Sequence, residues 1–228
     1  LGDALKRRAL LVFAVTAAVL TGCATTPPPV SDKVQQAYNS IGKTTPASST
    51  AAAVVVSVLS DSHAFNAGSW FRKTVEAGTV PGVTLGTFAS QPGAAATVLT
   101  AKLDEATASK GVVIVQAGTN DLLSAVGSVQ TAANVEALIQ GVKDRGAKPV
   151  LALIPPSAKR GPEVLDTNAL LTTYAKANGV GILDLTTAVA APTGQWKPGL
   201  SDDGTHANPA GSQIMADAAA QQIPALVR

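Results

Sequence analysis

Three short polar clusters carry the side chains that could do chemistry. Ser60-Asp61-Ser62-His63 and Gln116-Ala117-Gly118-Thr119-Asn120-Asp121 each follow an apolar run, and Asp202-Asp203-Gly204-Thr205-His206-Ala207-Asn208-Pro209 lies near the carboxyl end. Together they hold hydroxyl, amide, carboxylate and imidazole groups. A serine hydroxyl is unreactive at neutral pH unless a positioned base takes its proton. Imidazole titrates near that pH, and a carboxylate on its second nitrogen fixes its orientation. The three-residue spacing of Asp203 and His206 puts both on one turn, so no distant loop is needed to orient the ring. These are the raw materials of acyl transfer.

The elements that must bring the clusters together can be read from residue 51 onward. Short apolar runs recur: Val54–Leu59, Val83–Leu85, Val112–Val115, Pro149–Ile154 and Val180–Leu185. Nearly continuous and rich in β-branched residues, they read as strands buried on both faces of a parallel sheet. Between them lie segments of helical period, such as Gln130 to Arg145, where Ala132, Val135, Leu138, Ile139 and Val142 recur on one face. Asn208-Pro209 opens a last helix, Asn as N-cap and Pro as first helical residue. The expected architecture is an α/β protein, a three-layer α/β/α sandwich with a five-stranded parallel sheet and flavodoxin-like order. Sites in such sheets form beyond the carboxyl ends of the strands, where the polar clusters lie.

The clusters also resemble, in content and order, the blocks of the SGNH (GDSL-type) hydrolases. Ser60-Asp61-Ser62, Gly93, Gly118-Thr119-Asn120-Asp121 and Asp203-Gly204-Thr205-His206 correspond to the four blocks, over about residues 54 to 222. The Gly93 block is the least specific, because a Gly before a helix is commonplace. The resemblance implies an ester hydrolase with Ser62 as nucleophile, His206 as base and Asp203 as the carboxylate that orients the ring. It further implies an oxyanion hole made of the Ser62 N–H, the Gly93 N–H and the Asn120 side-chain amide. Thr119 and Asp121 would shape the Asn120 turn. No cofactor and no metal are implied. Two positions depart from the family pattern: Ser60 stands where a Gly is usual, and Ala207 where a Pro often follows the His.

Each candidate has a rival reading. Ser62 could be no more than a helix N-cap after a strand. His63 is the rival base, but it is adjacent to the nucleophile on the same backbone and is expected to form pocket wall or packing. Asp202 competes with Asp203. Trp70 and Trp196 could line the substrate cleft; core packing is the alternative for Trp70, while the polar, Pro/Gly-flanked loop makes Trp196 the better candidate. No Gly-x-Ser-x-Gly elbow occurs, which argues against the other large serine-esterase fold. Gly42-Lys43-Thr44 ends like a phosphate-binding loop, but Ala37 occupies the position of its first Gly.

The front of the chain carries a different message. Lys6-Arg7-Arg8 precede an apolar run of 12 residues, Ala9 to Leu20, and then Leu20-Thr21-Gly22-Cys23. That run is short of the roughly 20 apolar residues of a spanning helix and has the layout of a secretory signal. Its ending resembles a bacterial lipobox, which implies cleavage before Cys23 and lipid attachment to its sulfur. The expected organisation is a signal peptide over 1–22, a lipidated Cys23 with a Pro/Ser/Thr-rich tether over 23–50, and a hydrolase domain over 51–228. The product would be an extracytoplasmic monomer anchored to the membrane through Cys23, since several acyl chains hold stably where one does not.

Composition narrows the function classes. The chain has 228 residues, 17 basic and 15 acidic, with 4% aromatics, two His and one Cys. A disulfide needs a second Cys, and a Cys/His zinc site needs more soft ligands. Removing residues 1–22 takes three basic and one acidic residue, leaving 14 of each. A neutral domain poor in aromatics makes no case for nucleic acid. The substrate is expected to be a small ester or an acylated glycan, with O-acetyl esterase or acyltransferase action on glycans as an alternative. A non-catalytic ligand-binding lipoprotein that keeps the fold is the competing class, motivated by Ser60. A two-lobed solute-binding protein would need more chain than one domain supplies.

Overall fold

The structure is a computed structural model that describes residues 52–228. The expected signal peptide, lipidated Cys23 and tether lie outside the described residues. Five strands appear where apolar runs occur: β1 (Val54–Ser60), β2 (Val83–Ser90), β3 (Val112–Gln116), β4 (Lys148–Ala152) and β5 (Gly181–Leu183). All neighbouring pairs are parallel, in the order β2-β1-β3-β4-β5. This is the flavodoxin-like order, with its reversal of direction between β1 and β3.

The helices are α1 (Ser62–Phe65), α2 (Ala96–Leu99), α3 (Leu103–Ala106), α4 (Thr119–Leu123), α5 (Ser128–Asp144), α6 (Gly161–Ala177) and α7 (Pro209–Leu226). A π-helical turn spans Arg72–Glu76 and a 3₁₀ turn, Thr100–Lys102, joins α2 to α3. Two apolar layers flank the sheet. Leu99, Leu103, Val135, Leu138, Ile139, Val142 and Leu171 from α2, α3, α5 and α6 meet Val113, Val115 and Leu151 on one face. On the other, Ala64, Phe71, Val75, Met215 and Ile223 from α1, the π-turn region and α7 meet Val56, Val58 and Ile114. The three-layer sandwich is therefore present. Burying each such Val, Leu or Ile contributes about 1.5–3 kcal/mol, so these two layers hold the strand ends in place.

Differences from the sequence expectation have local causes. The strand from Val83 continues to Ser90, well past Leu85. It is an edge strand, half-exposed along Thr84–Phe88, so Gly86, Thr87 and Ser90 sit in it without forming an apolar run. A register shift between Val56 and Val58 interrupts its pairing, and there the Ser57 hydroxyl accepts the Thr87 N–H at 2.9 Å. The run from Pro149 leaves the sheet after Ala152, because the Asn168 side chain takes over both the N–H and the C=O of Ile154, each at 2.9 Å. The last strand spans only Gly181–Leu183. Beyond it Asp184 folds the chain into a turn by accepting the N–H groups of Thr186 and Thr187. The helix expected over Gln130–Arg145 is α5, starting two residues earlier and ending at Asp144, with all five named apolar residues buried. The last helix opens as expected: Asn208 Oδ1 accepts the N–H groups of Ala210 and Gly211, with Pro209 at the first helical position.

Candidate active site

The site is built at the carboxyl ends of β1 and β3, on either side of the topological reversal. β1 ends at Ser60, whose backbone pairs in register with Ser90 and Gln116. Its conformation is ordinary strand, outside the left-handed residues of the chain. Its hydroxyl meets Ser90 Oγ at 2.6 Å. A side chain is therefore accommodated where a Gly was expected, and this departure leaves the next two residues undistorted. Asp61 is the N-cap of α1, its Oδ1 accepting the His63 N–H at 3.0 Å. Ser62 is thus the first residue of α1 and not its cap.

Ser62 Oγ lies 2.8 Å from His206 Nε2, across 144 positions of sequence. His206 Nδ1 lies 2.7 Å from Asp203 Oδ2. The other oxygen of Asp203 accepts the N–H groups of Thr205 at 2.8 Å and His206 at 2.7 Å. One carboxylate therefore fixes both the ring and the backbone that carries it. Burial works against the charge of Asp203, but the hydrogen bonds from the His206 ring and the two N–H groups outweigh it and hold the carboxyl below its usual range. Asp202 turns elsewhere, accepting from Asn208 Nδ2 at 2.9 Å. Geometry thus separates the two aspartates: Asp203 reaches the imidazole and Asp202 braces the cap of α7.

The β3 side supplies the amide. Gly118 caps α4 with φ +112°, and a Cβ there would come within 2.6 Å of Ile154 Cδ1. Both the left-handed backbone and the space require Gly, and the turn it makes sends Asn120 back toward β1. Asn120 Nδ2 donates to Ala94 O at 3.0 Å and, more loosely, to Asp61 Oδ2 at 3.4 Å. Asp121 reaches past its own turn. Its Oδ2 accepts the Ala96 N–H at 2.8 Å, capping α2 from outside, and its Oδ1 accepts from Asn134 Nδ2 at 2.9 Å. That clamp fixes the turn carrying Gly93, which has φ +74°. Among the described residues, the backbone N–H groups of Ser62 and Gly93 have no acceptor.

The remaining candidates sit deeper than a cleft wall. His63 is 7% exposed, with its ring centroid 5.1 Å from that of His206. Burial, and then the charge of His206, push its pKa down to about 3 against the pull of Asp203. Trp70 is 1% exposed; its indole N–H donates to Gln116 Oε1 at 2.9 Å, and it packs edge-on against Phe71. The structure thus seats Trp70 in the core, touching the site only where its edge closes a recess beside His206. Trp196 is half-buried against the α7-side core and pairs through an isolated bridge with Ala190. That recess has a volume of about 20 Å³ and is lined by His63, Ser69, Trp70, His206, Ser212 and Met215, among others; Trp196 does not reach it.

Sequence reasoning missed two residues. Asp61 is wholly buried, and burial pushes its carboxyl up to about 7 although the His63 N–H and the charge of His206 pull it down. Its place beside Ser62 was the available signal. Gln116 ends β3 and holds Trp70, a pairing 46 positions apart that no local spacing announces. Among the described residues no group of three or more His, Cys, Asp or Glu could hold a metal ion.

Comparisons with known proteins bear on the family and the fold. The sequence model of the GDSL-like lipase/acylhydrolase family matches residues 48–214. No curated protein sequence matches the chain. Among solved structures, the chain is similar to a putative lipolytic protein of the G-D-S-L family from Desulfitobacterium hafniense, at 19% identity and a TM-score of 0.64, covering 74% of this chain and 98% of that one. It is also similar to Est24, a carbohydrate acetylesterase from Sinorhizobium meliloti, at 16% identity, a TM-score of 0.63 and coverage of 76% and 99%. A third similar structure is the aryl esterase of M. smegmatis, at 14% identity, a TM-score of 0.60 and coverage of 76% and 100%. At such identities the likeness concerns the fold; the family is carried by the sequence match over most of the chain. The chain belongs to the GDSL-like lipase/acylhydrolase family, and with it to the serine hydrolases that act on esters.

Proposed function

We propose that the chain is a serine esterase that works through an acyl-enzyme on short acyl groups, outside the cytoplasm and anchored at Cys23. The observation that carries the catalytic reading is the line from Ser62 Oγ through His206 to Asp203, with links of 2.8 and 2.7 Å. Ser62 Oγ attacks the ester carbonyl carbon as His206 Nε2 takes the hydroxyl proton. Asp203 stabilises the imidazolium so formed. The carbonyl oxygen becomes an oxyanion, met by the Ser62 N–H, the Gly93 N–H and the Asn120 amide. The loose 3.4 Å contact to Asp61 leaves one amide hydrogen of Asn120 free to turn to it, while Ala94 O holds the other. Collapse breaks the bond to the alcohol, which leaves with the proton from His206. Water then repeats the sequence on the acyl-enzyme, with His206 again taking and returning a proton, and releases the acid.

The location rests on the basic, apolar and Leu20-Thr21-Gly22-Cys23 segments. Short acyl groups are favoured by a chain with only 4% aromatics. O-acetyl groups on glycans fit this reading, in line with the fold likeness to a carbohydrate acetylesterase. The binding-only alternative loses its motive, because Ser60 sits in regular strand. Hydrolysis of p-nitrophenyl acetate, butyrate and palmitate tests the proposal. Ser62→Ala is expected to abolish turnover with an unchanged circular dichroism spectrum, and the wild type to prefer acetate. Retained turnover in Ser62→Ala would end the mechanism, and a palmitate preference would end the short-acyl reading.

A further inference from the structure

Beside the proposed base lies a buried polar group that the mechanism leaves unused. His63 Nε2 is fully buried and has no hydrogen-bond partner. An unpartnered polar atom in such a place is costly, and a Phe or Leu would fill the same space without that cost. Yet His63 and His206 face the same recess, together with Ser69 and Ser212, whose hydroxyls donate to the Ala64 and Ala207 carbonyls; Ser69 Oγ also accepts the Arg72 N–H, and each hydroxyl keeps a lone pair free. The recess, about 20 Å³, exceeds the roughly 10–15 Å³ one water needs. Polar partners for that water are present on its wall. The ring is held neutral by burial, so it cannot repel a cation forming on His206.

We infer that His63 is a positioning residue for the base: its neutral imidazole, with one water in the recess, forms a polar backing that stabilises the His206 imidazolium of the transition state. This rests on the reading of His206 as the base. The charged or titratable groups that face His206 are Asp203 from its own loop and Asp61 and His63 from the β1–α1 junction. The α7 side of the recess offers only Ser212 and Met215, and the loop before α6 approaches through Ala158 against Gly204. Removing the His63 nitrogens therefore withdraws support for the charged ring without changing its carboxylate partners.

The test is pH-dependent kinetics on p-nitrophenyl acetate for the wild type, His63→Phe and His63→Gln, with thermal melts to confirm folding. In His63→Phe, kcat and kcat/KM are expected to fall together by about tenfold with KM unchanged, the signature of an interaction made only in the transition state. The acid limb of kcat/KM should move to lower pH, because the charged base is less well supported. His63→Gln, which keeps a polar atom near Nε2, should recover most of both. Wild-type kcat and an unmoved acid limb in His63→Phe would reduce His63 to packing. A Gln variant as impaired as the Phe variant would overturn the proposal equally. Labelling of Ser62 by a fluorophosphonate, run alongside, separates the two levels: its absence in the wild type overturns the reading of the site itself, whereas normal wild-type labelling with indifferent His63 variants overturns only this inference.

Discussion

The two arms of the site hold their aspartates in opposite ways. On the Asp203–His206 arm the carboxylate is 57% exposed at the rim, with its partners within three residues, and hydrogen bonds keep it ionised. At the β1–α1 junction Asp61 has no exposure, and burial raises it to about 7. One residue type thus serves as a charged orienter on one arm and as a buried brace on the other, the two arms being joined by the Ser62–His206 hydrogen bond of 2.8 Å. The difference lies in environment, which is how paired carboxylates acquire separate roles.

The sharpest way to break this comparison is to exchange aspartates on the exposed arm. Asp203→Asn is expected to lower kcat by about 10³- to 10⁴-fold, as loss of the correctly held tautomer does elsewhere. Asp202→Asn, which touches only the Asn208 cap, should stay within about threefold of wild type, consistent with the small effects of substitutions away from such networks. Equal losses in the two would dissolve the assignment. Next in size is Asn120→Ala, expected to cost about 10²- to 10³-fold in kcat with KM little changed, because the amide acts on the oxyanion and not on the bound ester.

Smaller effects concern stability and sharpen the contrast between the arms. Asp61 keeps its proton up to about 7 when folded, against a usual 3.8, so between these values the native state binds more protons and stability falls as pH rises. Asp61→Asn removes that penalty: its Tm relative to wild type should climb by about 4 °C or more between pH 4 and pH 8. His63 has the opposite sign. Folded, it stays neutral down to about 3, whereas unfolded it takes a proton near 6.5, so stability is lost as pH falls through that window. His63→Phe should therefore gain about 2 °C or more relative to wild type on going from pH 7 to pH 4.5. Parallel melting curves in either case would show that the junction does not hold these groups as described.

The contrast also explains what could be read in the sequence. The exposed arm is local: Asp203 and His206 are three apart and Asn208-Pro209 starts α7, so spacing alone places each pair. The junction is built from long-range bonds. Asn120 to Ala94, Asp121 to Ala96 and Trp70 to Gln116 join residues 25 to 46 positions apart, and no periodicity encodes them. Ser62 and His206 were linked through the family's block order, because 144 intervening residues carry no spacing signal. All five strand runs are legible from their apolar content. The far half of β2 is not, because an edge strand needs no apolar face on its open side. Trp70 was ambiguous for a related reason: a residue that is 1% exposed and one that lines a cleft look alike in sequence.

The central claim is that His206 and Asp203 activate Ser62. Its most direct test is the rate of covalent labelling by a fluorophosphonate, with the adduct mapped by mass spectrometry, in the wild type and in His206→Ala. One adduct on Ser62 in the wild type and almost none in the variant is the predicted result. An adduct on another serine, or labelling of Ser62 at the same rate without His206, would contradict it.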